Sequence, residues 1–559
     1  MKRYVLTAAG LLFGSVVLAG CAVAATPTTV TGVDSGSTAS PTVVVDATLT
    51  ADAVLADNED STTVNDDEWS LDSATAVDLS SPSATDGVSV DGSTLTITAA
   101  GTFVLSGDLD GQVVVASPDD AVVAIVLSDA SITSSGGPAI WVQSADDVVI
   151  SLEGDSSVSD ASSYADDADA NAAVFSEADL TFSGSGSLTV SGNGGDGITS
   201  EDDLVVLSGS ITVEAADDAL RGKDSLVVKG GELTLTAGGD ALLSDNEEDA
   251  TRGYVWVDDG TLVATAGDDG IDAVTDVVLT GGSLTLDATG KGVKAGVYLV
   301  AEGTEASVTA QDDALHSNGA IHLNLGTVAL ASGDDGLHAD SAIVIDGGSL
   351  TVSQSYEGIE APSITINDGD VTVKASDDGI NASGNATASE GGGMGGGMGD
   401  TGELLTIAGG TVLISAEGDG FDSNGSAVVS GGTLVVNGPT NDGNGALDVN
   451  GILTVSGGTV FAIGSAGMAV SPDASSPQSW ISATVSGTAG DVVQVLDSTG
   501  AVVYEYTAEK AFSSVVFSSS VLADGANYSV TVNGSSAVTV TEGTAAAGSG
   551  GPGGGGMRP

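Results

Sequence analysis

The chain has almost no positive charge: 11 Lys and Arg stand against 78 Asp and Glu in 559 residues, a formal net charge of -67. So few cations cannot replace the counterions of a phosphate backbone, which excludes nucleic acid as a partner. Anionic polymers are repelled too, unless a metal ion mediates. There is one cysteine, so no disulfide forms within the chain and stability must come from elsewhere. Aromatic residues are only 4% of the chain; Val, Thr, Ala and Gly dominate, a composition for short strands and tight turns rather than helices. Strong acidity alone would suggest disorder, but 41% hydrophobic residues in regular alternation argue against it for the central part.

No apolar run is long enough to read as a membrane span at the amino terminus. Lys2 and Arg3 precede an apolar run from Val5 to Ala19, followed by Leu18-Ala19-Gly20-Cys21. Residues 1–21 are therefore expected to be a secretory signal with a lipobox, cleaved before Cys21 and lipidated on its sulfur. That predicts a secreted protein anchored by lipid to the outer face of a bacterial cell membrane, with the lipid as its sole membrane contact. Residues 22–84, rich in Thr, Ser and Asp without sustained alternation, are expected to form a flexible linker. Residues 542–559, ending "GSGGPGGGGMRP", are expected to be a disordered tail.

Between these ends lies a repeat. Taking the second acidic position of each "DDG"-like motif as an anchor gives Asp196, Asp218, Asp240, Asp269, Lys291, Asp313, Asp335, Glu357, Asp378 and Asp419. Six of the nine spacings are 22 residues and one is 21. The two exceptions coincide with an acidic loop around "SDNEEDATRG" and a Gly/Met-rich insert at 384–402. Each unit carries a short strand after the anchor, a second such as "VVL", a "GG" turn and a third such as "LTL". Three short strands in about 22 residues make one coil of a parallel β-helix, whose coils stack at roughly 4.8 Å. The expectation is an all-β chain: a right-handed parallel β-helix over 85–479, with a small C-terminal β cap or domain over 480–541 that lacks the anchor and reads as antiparallel hairpins. The period and missing glycine pattern exclude a calcium-binding nonapeptide solenoid, and the lack of helical segments excludes leucine-rich repeats.

Stacking converts spacing into columns. The residue two after the anchor, from Ile198 through Ile271 and Leu337 to Phe421, is apolar throughout and predicts the core column. The residue one after it is Gly or Ala, as a tight corner requires. Aspartates in successive coils would lie roughly 5 Å apart, costing ~3 kcal/mol per unscreened pair at an effective dielectric near 20. A ladder of them calls for protons or metal. Calcium fits best, because it takes many hard oxygen ligands and tolerates irregular geometry. The candidate ligands are Asp196, Asp217, Asp218, Asp240, Asp268, Asp269, Asp312, Asp313, Asp334, Asp335, Asp377, Asp378 and Asp419. The plainer alternative is a solvated acidic edge that discourages aggregation.

The residue three after the anchor should face outward, and it varies most. It includes Arg221, Asp272, Lys294, His316, His338 and Glu360, and an extension of the frame upstream adds Trp141 and Phe175. These eight are the candidate carbohydrate contacts, the aromatics by stacking on sugar rings and the cations by pairing with an anionic sugar. For the lysines, Lys291 and Lys294, a salt bridge that neutralises the ladder competes with that reading.

The ordered segments "GTFVLSGDLDGQVVV", "DDAVVAIVLSDASITSSGGPAIWV", "NAAVFSEADLTFSGSGSLTVSGNGGDGITSEDDLVV" and "GDDGIDAVTDVVLTGGSLTLDATGKGVKA" resemble a bacterial carbohydrate-binding β-helix family. The resemblance spans about residues 85 to 540. It implies a right-handed parallel β-helix with bound calcium, akin in shape to pectate lyases, that binds cellulose and polygalacturonate without known catalysis. The expected protein is a monomeric, non-enzymatic, calcium-dependent polysaccharide binder. Its competitors are a calcium-dependent pectate-type lyase with Arg221, Lys223, Lys291 or Lys294 as base, and a passive adhesin or spacer.

Overall fold

The computed structural model describes residues 46–165, 168, 170–384 and 400–546. Cys21 with its signal, residues 22–45 of the expected linker, most of the Gly/Met insert and most of the tail lie outside the described residues.

One coil shows the plan of the rest. Ile271–Ala273 forms a short strand on a first face, Asp276–Leu279 a strand on a second, and Ser283–Ala288 a strand on a third. Each pairs in parallel with its equivalent 22 residues later: Ile271 with Val293, Val277 with Leu299, Ser283 with Glu305. Among the described residues the first face is a 16-stranded sheet, while the other two faces belong to a 31-stranded one. The chain is thus a parallel β-solenoid, as its period predicts.

The expected core column is continuous. Ile198, Leu220, Leu242, Ile271, Val293, Leu315, Leu337, Ile359, Ile380 and Phe421 are neighbours in register, and all are buried. The small residue before each is set by space between coils: a Cβ on Gly270 would lie 2.5 Å from the Gly292 carbonyl oxygen. The "GG" turn is set by backbone conformation instead. Gly282 has φ +75°, where a side chain is strained, and it turns the chain from second to third face.

The two outer faces differ. The third reads exposed-buried in strict alternation, as in Ser283–Ala288. The second is buried on both sides, as in Asp276–Leu279. Its cover is the segment expected to be a flexible linker. Residues 46–69 run back across the coils: a short helix, Ala51–Asp57, buries Ala51 and Val54 against Val278 and Val300, and Val64 packs with Ala124 and Val149. Backbone groups are satisfied on the way. The Val64 amide donates to Thr181 Oγ1 at 3.1 Å, the Thr62 amide to Asp203 Oδ2 at 2.7 Å, and the Leu49 carbonyl lies 2.9 Å from His322 Nδ1. The linker reading is corrected for this stretch because its few apolar residues match an apolar stripe that would otherwise face water. The solenoid also begins earlier than residue 85, since Thr75–Asp78 pairs in parallel with Phe103–Ser106.

At the other end both expected alternatives are realised. Phe512–Ser519 pairs antiparallel with the last coil strand, Thr459–Gly464, and with Trp480–Gly487. Four more strands within 492–541 form a separate antiparallel sheet. Phe461, Phe517, Tyr504 and Tyr506 pack there with ring centroids 4.6–5.0 Å apart.

Candidate functional site

The corner from third to first face carries the anchor carboxylates. Most of them use one oxygen to hold the coil that follows: Asp218 Oδ1 accepts the Asp240 amide at 2.7 Å, Asp240 Oδ1 the Asp269 amide at 2.7 Å, Asp269 Oδ1 the Lys291 amide at 2.6 Å. Asp196, Asp313 and Asp378 do the same for Asp218, Asp335 and Asp419. The second oxygen turns toward the outward column. Asp196 Oδ2 accepts the Thr199 hydroxyl at 2.9 Å, and Asp313 Oδ2 accepts Lys291 Nζ at 2.6 Å. The repeated aspartate is therefore a structural cap first, with one oxygen left over.

How the remaining charge is met divides the ladder in two. Burial, reinforced by neighbouring aspartates, pushes Asp218, Asp240 and Asp419 up to about 7, and Asp196 and Asp378 up to about 6. Asp313 is equally enclosed, yet hydrogen bonds from His316 and Lys291 outweigh burial and hold it well below the usual carboxylate range. Asp335 rises to about 6 through burial despite its bond from His338, whose own pKa climbs to about 10 beside Asp335 and Asp340.

Three carboxylate trios bring ligand oxygens within 4.8 Å of one another: Asp196/Asp217/Asp218, Asp240/Asp268/Asp269 and Asp312/Asp313/Asp334. The first two offer only oxygen, the donor chemistry of a hard divalent cation. The third differs. Lys291 Nζ stands 3.1 Å from Asp312 and 2.6 Å from Asp313, so that corner already holds a cation, and it does not fit a metal as well as the others do. A glycine marks the coil below a converging pair. A Cβ on Gly239 would lie 2.4 and 2.7 Å from the Asp218 and Asp217 Oδ1 atoms; Gly290 stands likewise under Asp268 and Asp269, and Gly418 under Asp377 and Asp378. The sequence signal for these converging pairs is a glycine just before the next anchor, in "GGD", "TGK" and "EGD".

The outward column exists as expected. Trp141 neighbours Phe175, and the line continues through Thr199, Arg221, Leu243, Asp272, Lys294, His316 and His338 to Glu360. Its two ends are unlike. Phe175 is only 1% exposed, which corrects its place among the sugar contacts: Ala170 and Ala172 pack on it, and the Tyr164 hydroxyl ties Asp160 to the Ala172 carbonyl, both at 2.9 Å. Trp141 is half-buried, packing against Ala170, Ala172 and Phe175. Arg221 lies between Glu201 and Asp245 at 2.8 and 3.0 Å. Lys294 lies 2.7 Å from Asp272 and 3.5 Å from Asp269, and Lys223 reaches Glu201 at 3.3 Å. These cations neutralise the protein's own carboxylates, the competing salt-bridge reading. His316, His338 and Glu360 stay half-buried beside Asp313 and Asp335.

Fold and corners together define a class of protein: a long parallel β-solenoid with an acidic ladder along one edge and a variable polar column beside it. The chain belongs to the carbohydrate-binding domain-containing protein family, matched over residues 91–358 and 334–379. A carbohydrate-binding domain-containing protein of Acetivibrio thermocellus is 40% identical over 226 residues, 39% of this chain and 79% of that protein. A solved structure of a polysaccharide lyase-like protein from C. thermocellum, a gadolinium derivative, is 31% identical with a TM-score of 0.39, covering 42% of this chain and 96% of that one.

Proposed function

We propose that the protein binds polysaccharide, an acidic pectin-like glycan or cellulose, at the bacterial cell surface and in a calcium-dependent way. The observation that carries this reading is that the family match, residues 91–379, covers the coils bearing the oxygen-lined corners. Calcium at Asp196/Asp217/Asp218, and at Asp240/Asp268/Asp269 where Lys294 meets only Asp269 at 3.5 Å, would neutralise the remaining carboxylate charge and would offer open coordination positions to sugar carboxylates or hydroxyls. The half-buried indole of Trp141 supplies a stacking surface in the adjoining column. Lipid on Cys21 would hold the solenoid at the outer face of the membrane.

A lyase would need a free arginine or lysine as base. Both column cations are engaged instead: burial lowers the Lys294 pKa, but the hydrogen bond and charge of Asp272 win and raise it. Retention of the purified protein on insoluble pectin and cellulose, with calcium and with chelator, tests the proposal. Calcium-dependent retention is expected. No retention on either glycan would remove the binding reading, and ultraviolet-absorbing unsaturated uronides released from polygalacturonate would replace it with the lyase.

A further inference from the structure

The histidines of the outward column form a different kind of site from the oxygen-only corners. His338 Nδ1 lies 3.0 Å from Asp335 Oδ2 and 3.4 Å from Glu360 Oε2. Its other nitrogen, Nε2, lies 3.5 Å from Asp340 Oδ1. Glu360 is itself oriented, because its Oε1 accepts the Ser383 hydroxyl. One ring nitrogen is thus directed at an orienting carboxylate while the other looks between two carboxylate oxygens. The ring of His316 stacks on that of His338 with centroids 5.2 Å apart, closing one side. In the next coil of the same column Asn381 is 7% exposed, and its Oδ1 has no hydrogen-bond donor.

We propose that Asp335, His338 and Glu360 bind a first-row divalent transition ion, zinc being the best match, at a site separate from the calcium corners. An imidazole nitrogen favours such an ion and does not suit calcium. The observed separations of 3.0 and 3.4 Å are close to the roughly 3.3 Å between ligand atoms around a tetrahedral ion with bonds of about 2.0–2.1 Å. A carboxylate on the far nitrogen, here Asp340, is the usual support of a metal-bound histidine. The neighbouring trio Asp313/His316/His338 is the weaker candidate, because Lys291 already occupies Asp313 Oδ2. The ion pairs of Asp335 and Glu360 among the described residues are with His338 alone. His338 is 30% exposed on its side chain, so the ion's remaining positions face solvent along the column proposed to meet glycan.

The test is calorimetric titration of the chelator-stripped protein with zinc in excess calcium, with cobalt absorption as a second readout of nitrogen-oxygen ligation. One zinc per chain is expected, lost in His338→Gln and in Glu360→Gln, and weakened about 10–100-fold in Asp340→Asn. Asp217→Asn should leave it unchanged. Zinc affinity unaltered in both His338→Gln and Glu360→Gln, or the absence of a cobalt spectrum in the unmodified protein, would overturn the proposal. Glycan retention in calcium is read separately, so failure of one proposal is distinguishable from failure of the other.

Discussion

Two outward columns of this solenoid, one on the second face and one on the first, start from the same geometry and end differently. On the second face the column runs Val205, Val227, Trp256, Val278, Val300, His322 and Val344, and then turns to Thr365 and Thr406. Its apolar part coincides with the coils crossed by residues 46–69, which cover it. On the first face the equivalent column is mostly charged, and from Arg221 to Glu360 it stays half-exposed. The difference teaches that a solenoid's outward residues report what each face meets: valines mark a face closed by the chain's own segment, and mixed charges mark a face left for water, ions or a ligand.

The largest effect should come from forcing one column to resemble the other. Val278→Asp places a carboxylate under the covering helix, with no partner among its apolar neighbours, and should cost about 3 kcal/mol. Limited proteolysis should then cut between residues 46 and 70 at a rate well above that of the unaltered protein. Equal cleavage rates would mean that the segment contributes nothing to closing the face.

Next comes the response of the first-face ladder to pH. Asp218, Asp240 and Asp419 titrate near 7 in the fold, against about 4 for an ordinary aspartate. A carboxyl group whose pKa is higher folded than unfolded favours the fold in its protonated form, so its contribution is complete below about pH 4 and is lost as pH rises through 7. Asp313 has the opposite sign, its contribution being lost only in strong acid. In chelator the melting temperature should therefore fall from about pH 5 to about pH 7.5, and calcium should remove most of that fall. A melting temperature that rises over this range would contradict the assignment of uncompensated charge to these corners.

A smaller effect is expected where the ladder is already neutral. Lys291→Met removes the ammonium from Asp312 and Asp313 and should cost about 2 kcal/mol without metal. It should also make the protein's stability more responsive to calcium than before, since the third trio would then match the other two. A variant that loses stability but gains no calcium response would show that the trio geometry alone does not recruit the ion.

Much of this was legible in the sequence for a simple reason. Once the 22-residue period is found, register follows, and Ile271 must stack on Val293 as Asp272 stacks on Lys294. What escaped depends on contacts that no period encodes. The covering segment is rich in Thr, Ser and Asp, and its apolar contacts with the coils come from Leu49, Ala51, Val54, Leu55, Val64 and Trp69; the readable signal was on the other partner, in the apolar run "VVL" of residues 277–279, since a run apolar at successive strand positions is covered on both sides. Phe175 was placed in the correct column, but its burial comes from contacts with Ala170, Ala172 and Trp141. The dual use of the anchor aspartates was hidden as well, because an oxygen that caps a backbone amide one coil away looks, in sequence, the same as one free for a metal.

The most direct test of the account is thermal unfolding of the protein at about pH 8 with calcium and with chelator. The account predicts a melting temperature several degrees higher in calcium, with the increment diminished when Asp217 and Asp268 are replaced by asparagine. Coincident melting curves in calcium and chelator would contradict it, and would leave the repeated aspartates as caps for the coil that follows and nothing more.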